Sequence, residues 1–170
     1  MKKVVLADDN YIVSEGIKLN INWNELNAEI VLIAKSGQEV LNYIIDNHVD
    51  LIITDIEMPN LNGISLSREA IKINPYIKII LISAYDKFEY AKQAVSIGVC
   101  DYIEKPIDYD FLYKKIKSSF EIIDREQRNL SIVKESRQLM ITKFFQELLY
   151  FSTDKTLGYF DKYIRIITNI

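Results

Sequence analysis

The chain has 170 residues, 49% of them hydrophobic and 26% charged, enough for one domain with its own core and no need of disulfide or metal staples. Only three Pro and five Gly exclude collagen-like, low-complexity and loop-rich classes. A net charge of −3 argues against this segment gripping nucleic acid itself, and a single cysteine, Cys100, leaves no internal disulfide. The opening MKKVVLADDN turns acidic too soon for a signal peptide. No apolar run approaches the roughly 18 residues of a membrane span, so a cytoplasmic protein with no membrane partner is expected.

Residues 1–107 alternate short apolar runs with amphipathic stretches. The run Val4–Ala7 precedes a helical pattern through Ile12, Val13, Gly16, Ile17 and Leu19. Ile30–Ala34 precedes Val40, Leu41, Ile44 and Ile45 at helical spacing. Leu51–Ile53 precedes Ile64, Leu66, Ala70, Ile71 and Ile73. Ile77–Ile82 precedes Ala91, Ala94, Val95 and Ile97, and a weaker fifth run spans Val99–Ile103. Unbroken β-branched runs read as strands buried on both faces. Strands alternating with helices predict βαβ units, right-handed crossovers and a doubly wound parallel sheet.

Residues 108–151 contain neither Pro nor Gly, and apolar side chains recur at steps of three and four: Leu112, Ile116, Ile123, Leu130, Val133, Met140, Phe144 and Phe151. Ser119, Glu126, Arg137 and Glu147 interrupt that stripe. The pattern predicts a long helix continuing the fifth helix of the domain. Its stripe exceeds what a small domain covers, so a coiled-coil partner is one solution and packing on a further domain is the other. Residues 152–170 end on an apolar stretch, Tyr163–Ile170, and are expected to begin another domain. The predicted organisation is a domain at 1–120, a helical linker at 121–151, and the start of a following domain at 152–170.

In an open α/β sheet, ligands bind outside the carboxyl ends of the strands. Asp8 and Asp9 follow the first strand, Asp55 the third, Ser83 the fourth, and Lys105 with Pro106 the fifth. Any one of these has an ordinary explanation as a cap or turn residue. Their joint placement makes chemical sense. Clustered acids raise one another's pKa unless a cation joins them. Mg²⁺ accepts carboxylate oxygens, whereas Zn²⁺ is disfavoured because the only His and Cys, His48 and Cys100, lie elsewhere. A metal, an ammonium and a hydroxyl around a carboxylate nucleophile suit phosphoryl transfer.

At these residues the chain resembles the receiver domain of two-component response regulators. The matching segments are VVLADDN, LIITDIEMPNLNGISL and ILISAYDKFEYAKQAVSIGVCDYIEKPID, covering residues 1 to about 120. The resemblance implies a flavodoxin-like (βα)5 fold with strand order 2-1-3-4-5. It implies that Asp55 accepts a phosphoryl group from a sensor histidine kinase. Asp9 would bind Mg²⁺ directly, Asp8 mainly through water, and the backbone carbonyl of Glu57 would complete the protein ligands. Ser83 would close onto the phosphoryl group, Lys105 would bind it, and the Lys105–Pro106 peptide would be cis. Tyr102 would be the aromatic switch that moves inward with Ser83. Such a protein catalyses only its own phosphorylation and dephosphorylation.

The wording around helix 4 most resembles receivers attached to AraC-type DNA-binding domains. A transcriptional output through DNA would then lie outside this chain, and a homodimer would form through the 108–151 helix or the face of helix 4, strand 5 and helix 5. Ser83 replaces the commoner Thr, keeping the hydroxyl, and Tyr85 is bulky enough to slow water attack on an acyl phosphate. Tyr85, Phe88 and Tyr90 open helix 4, as core edge or as part of the interaction face. His48 is expected on the surface, Cys100 as a small buried hydrophobe, and Trp23 in loop packing. Three rivals are weaker. A haloacid-dehalogenase-type hydrolase needs a second Asp at position 57, where Glu stands. A flavin binder would meet repulsion from Asp8 and Asp9. A constitutive pseudo-receiver has no need of the complete acidic set.

Overall fold

The computed structural model describes residues 1–84 and 88–150, the side chains of 88 and 148–150 excepted. Five strands alternate with five helices: β1 (Lys2–Ala7), α1 (Tyr11–Asn20), β2 (Ala28–Ala34), α2 (Gly37–Asp46), β3 (Leu51–Asp55), α3 (Gly63–Ile73), β4 (Lys78–Ser83), α4 (Phe88–Ile97), β5 (Asp101–Glu104) and α5 (Tyr109–Tyr150). All strand pairs are parallel, in the order β2-β1-β3-β4-β5. The predicted fold class and strand order are both observed, as is the long fifth helix. Helices start where short polar side chains cap free amide groups. Asn10, Ser36 and Asn62 accept backbone N–H bonds at the starts of α1, α2 and α3.

Alternate residues of the central strands feed two apolar layers. Val5, Ile52, Ile79 and Leu81 pack with Val40, Leu66, Ala70 and Ala94 of α2, α3 and α4. Val4, Leu6, Ile53, Ile80 and Ile82 pack with Ile17 of α1 and with Leu112, Ile116, Phe120 and Ile123 of α5. One apolar run per strand therefore serves both faces, which is why β3 is buried at every position. β2 departs from that expectation. Its interior residues are only half-buried, because it lies at the sheet's edge and has helices over it without a strand beyond.

The chain divides into two compact units, Met1–Asp124 and Arg125–Ile170. In the first, Lys2 pairs with Asp124 at 2.7 Å. In the second, every α5 side chain from 127 to 140 is exposed, including Leu130, Val133 and Met140 of the predicted stripe. Phe151 and the expected domain start at 152–170 lie outside the described residues, as does Tyr85. No helix among the described residues is long and apolar enough to cross a membrane.

His48 is exposed and lies 3.2 Å from Asp50. The Cys100 thiol is half-buried, and burial raises its pKa. Trp23 packs on the second core layer, its indole donating to the Lys18 carbonyl at 3.1 Å.

Candidate functional site

The parallel register brings the ends of β1, β3, β4 and β5 to one edge of the sheet. Asp55 is the last residue of β3 and lies beside Ile82 of β4, while Ser83 lies beside Glu104 of β5. Just past β1, Asp8 is buried and Asp9 is exposed. The Asp8 carboxylate accepts the Asn10 N–H at 2.8 Å, so the turn into α1 holds it in place. One oxygen of Asp55 accepts the Ile56 N–H at 2.8 Å. The Lys105 ammonium donates to the other at 3.0 Å and to Asp8 at 2.9 Å. Its own backbone N–H donates to the Ser83 carbonyl at 2.7 Å, which pins the end of β5 to β4. The Lys105–Pro106 peptide is cis.

Four of the residues singled out from the sequence thus converge: Asp8, Asp9, Asp55 and Lys105. Ser83, fully buried, ends the neighbouring strand. Glu57 lies two residues beyond Asp55 with its side chain exposed. Tyr102 is half-buried against the first core layer. With Ile103, Glu104, Pro106, Asp108 and Phe111 it lines an open groove of about 390 Å³ on the β5–α5 side of the unit.

Electrostatics follow from the crowding. Burial raises the Asp55 pKa and the Asp8 charge adds to the effect; Lys105 and the Ile56 N–H oppose both without cancelling them. Burial works against the Lys105 charge, but its bonds to Asp8 and Asp55 outweigh that and hold its pKa above the ordinary lysine value. The native state therefore binds the Asp55 proton more tightly than the unfolded chain, and this group's stabilisation is lost as pH rises through the raised pKa. The metal-free Asp55→Asn chain is expected to melt above the parent at pH 7. The gap should close as pH falls below the ordinary carboxylate range, a trend that calorimetry across pH would follow.

The donor set fits a hard dication. Asp8, Asp9 and Asp55 each offer a carboxylate oxygen, and these atoms all lie within 4.8 Å of one another. Excess negative charge beside one ammonium and hard oxygen ligands is what Mg²⁺ favours.

Two supports were not legible in advance. Gly63 opens α3 with its backbone against the end of β3, and a Cβ there would overlap the Asp55 carbonyl oxygen. Its N–H donates to the Ile56 carbonyl at 3.0 Å. Thr54, fully buried, donates its hydroxyl to the Asp55 carbonyl at 2.9 Å. Both hold the Asp55 backbone, and only the glycine eight residues after Asp55 hinted at such a close approach.

The site is a carboxyl-edge cluster on a five-stranded parallel sheet in the order β2-β1-β3-β4-β5, three acids with a lysine bridging two of them. The profile of the response regulator receiver domain matches residues 4–117. The chain belongs to that family, the receiver domains of two-component systems. It is 33% identical over 135 residues to the transcriptional regulatory protein YesN of Bacillus subtilis, covering 79% of this chain and 36% of that relative. It is 38% identical over 109 residues to the transcriptional regulatory protein HptR of Staphylococcus aureus, covering 64% of this chain and 42% of the relative. The chain thus spans less than half the length of these curated relatives. Among solved structures, the receiver domain of AraT, a response regulator from Geobacillus stearothermophilus, superposes with a TM-score of 0.70 at 37% identity, covering 74% of this chain and 98% of that one.

Proposed function

We propose that this chain is the phosphoacceptor part of a cytoplasmic response regulator, with residues 1–120 as receiver and 121–151 as linker. Asp55 takes a phosphoryl group from a histidine kinase. The observation that carries the reading is the Lys105 ammonium bonded to both Asp8 and Asp55 at the sheet's edge. Mg²⁺, held by Asp8, Asp9, Asp55 and the Glu57 backbone carbonyl, supplies charge neutralisation for the phosphoryl oxygens when bound.

An Asp55 oxygen bonds phosphorus as the P–N bond of the donor phosphohistidine breaks, and the imidazole departs with the electrons of that bond. Lys105 is already placed to follow the charge onto the phosphoryl oxygens, because its two present partners are the acceptor and its neighbour. The Ile56 N–H keeps the second Asp55 oxygen oriented. Ser83, one strand away, supplies a hydroxyl to the new anion. Its displacement opens space toward Tyr102, whose ring stands between the core and the β5–α5 groove. A charge created at one point thereby biases a two-state face.

The output runs through α5. Its exposed Leu130, Val133 and Met140 supply a stripe for homodimer pairing. Contact with DNA belongs to an effector domain outside this chain, as the transcriptional-regulator relatives suggest.

The test is intact mass after incubation with acetyl phosphate. One phosphoryl group is expected per chain with Mg²⁺ and none with a chelator. Uptake that ignores the metal, or none under either condition, would contradict the reading.

A further inference from the structure

Asn62 is the one asparagine of the chain that glycine follows. That dipeptide is open to self-attack, because a residue without Cβ leaves its backbone nitrogen unhindered beside the preceding side-chain amide. Here the two residues sit at a point of close packing. The exposed Asn62 side chain caps α3, its oxygen accepting the Ser65 N–H at 2.8 Å. Its carbonyl accepts the Leu66 N–H at 2.9 Å. The Gly63 N–H, the prospective nucleophile, donates to the Ile56 carbonyl at 3.0 Å, and Gly63 itself is buried. The extended Asn62 backbone, φ −71° and ψ 161°, turns that nitrogen away from the position it needs to close a ring with the side chain.

We propose that the Asn62–Gly63 peptide is a latent deamidation site, held closed by the packing of α3 on the end of β3, and that its isoaspartyl product forces that packing apart. When the segment opens locally, the Gly63 nitrogen gives its proton to solvent base and bonds Asn62 Cγ. The Cγ–Nδ2 bond breaks, and the amide nitrogen leaves as ammonia with a proton from solvent. Water then opens the succinimide, its hydroxyl going to a carbonyl carbon and its proton to the Gly63 nitrogen. Opening at Cγ leaves aspartate in an ordinary chain. Opening at the Asn62 backbone carbon leaves isoaspartate, whose backbone runs through Cβ and Cγ. The two products differ physically. Aspartate keeps an oxygen for the Ser65 N–H and places its charge at a helix N-terminus, where it is favoured. Isoaspartate inserts one more backbone carbon directly before Gly63. The contact has no room for it, since even a Cβ on Gly63 would overlap the Asp55 carbonyl oxygen. The first turn of α3 must unwind or move off the strand.

The experiment holds the full chain at mildly alkaline pH, once in buffer and once in unfolding urea. Deamidation at Asn62 is followed by peptide mass mapping, and isoaspartate by enzymatic methyl labelling of its carboxylate. Loss of the amide is expected to run at least about tenfold slower in buffer than in urea, because the ring closes only in locally opened chains. Equal rates in the two conditions, or no deamidation at Asn62 in either, would overturn the proposal. The isoaspartyl chain is then separated, refolded and titrated with urea beside the parent and Asn62→Asp, which carries the same charge without the extra carbon. The isoaspartyl chain is expected to unfold at a lower urea concentration than the parent, and Asn62→Asp with the parent or above it. An isoaspartyl chain that unfolds with the parent, or an Asn62→Asp chain that unfolds as early as the isoaspartyl one, would show that the added carbon does not disturb the packing and would overturn the second half of the proposal.

Discussion

A Lys105→Ala chain is expected to take up phosphoryl groups from acetyl phosphate about a hundredfold more slowly than the parent, in the range lost when one preorganised charge is removed from a transition state. The ammonium sits 2.9 Å from Asp8 and 3.0 Å from Asp55, so a group arriving on Asp55 would meet it with no search. The same substitution should lower stability. Asp8 is 3% exposed and Asp55 8%, and without Lys105 their charges face each other with fewer partners. Leaving such groups unsatisfied costs about 1–3 kcal/mol. With Mg²⁺ binding to the folded acids as proposed, millimolar metal should restore part of that loss by mass action. Urea unfolding with and without Mg²⁺, beside quenched phosphorylation time courses, checks both halves. A variant with parental rate, or one whose stability ignores the metal, would break the link between Lys105 and the acids.

The second large effect concerns a residue with no side chain. Gly63→Val places a branched Cβ on top of the Asp55 carbonyl oxygen and close to the Ile56 Cα, backbone at and just past the end of a strand buried at every position. The cost is expected at about 3 kcal/mol or more, at the upper end for overpacking, because the obstacle is backbone rather than a flexible side-chain tip. Gly63→Ala should be milder with the same sign. Relief would come by moving α3 away or by shifting Asp55, and the second route also slows phosphoryl uptake. Parental urea stability in the valine variant would show that the close approach of α3 to β3 does not constrain the site.

Much of this architecture was readable because β1, β3 and β4 are apolar runs that end on or just before a candidate site residue. Leu51–Ile53 stops at Thr54 and Asp55, and Val4–Ala7 stops at Asp8 and Asp9, so strand ends and candidate ligands were visible together. The sheet then gathers those ends by parallel pairing, without any need to know side-chain detail. The half-exposure of β2 was not readable, since an edge strand and a central strand both carry the run Ile30–Ala34 until the strand order is known. Gly63 and Thr54 act through backbone contacts that leave no pattern in composition.

The reading stands on one covalent event, an acyl phosphate on Asp55. Borohydride reduces an acyl phosphate to an alcohol, converting a phosphorylated aspartate to homoserine and leaving free carboxylates untouched. Peptide mass mapping after phosphorylation with Mg²⁺ and borohydride treatment is therefore the most direct test. Homoserine at position 55 alone, absent when the metal is chelated, is the expected result. Homoserine at Asp8 or Asp9, or a phosphoryl group retained by Asp55→Asn, would contradict the assignment of Asp55 as the acceptor.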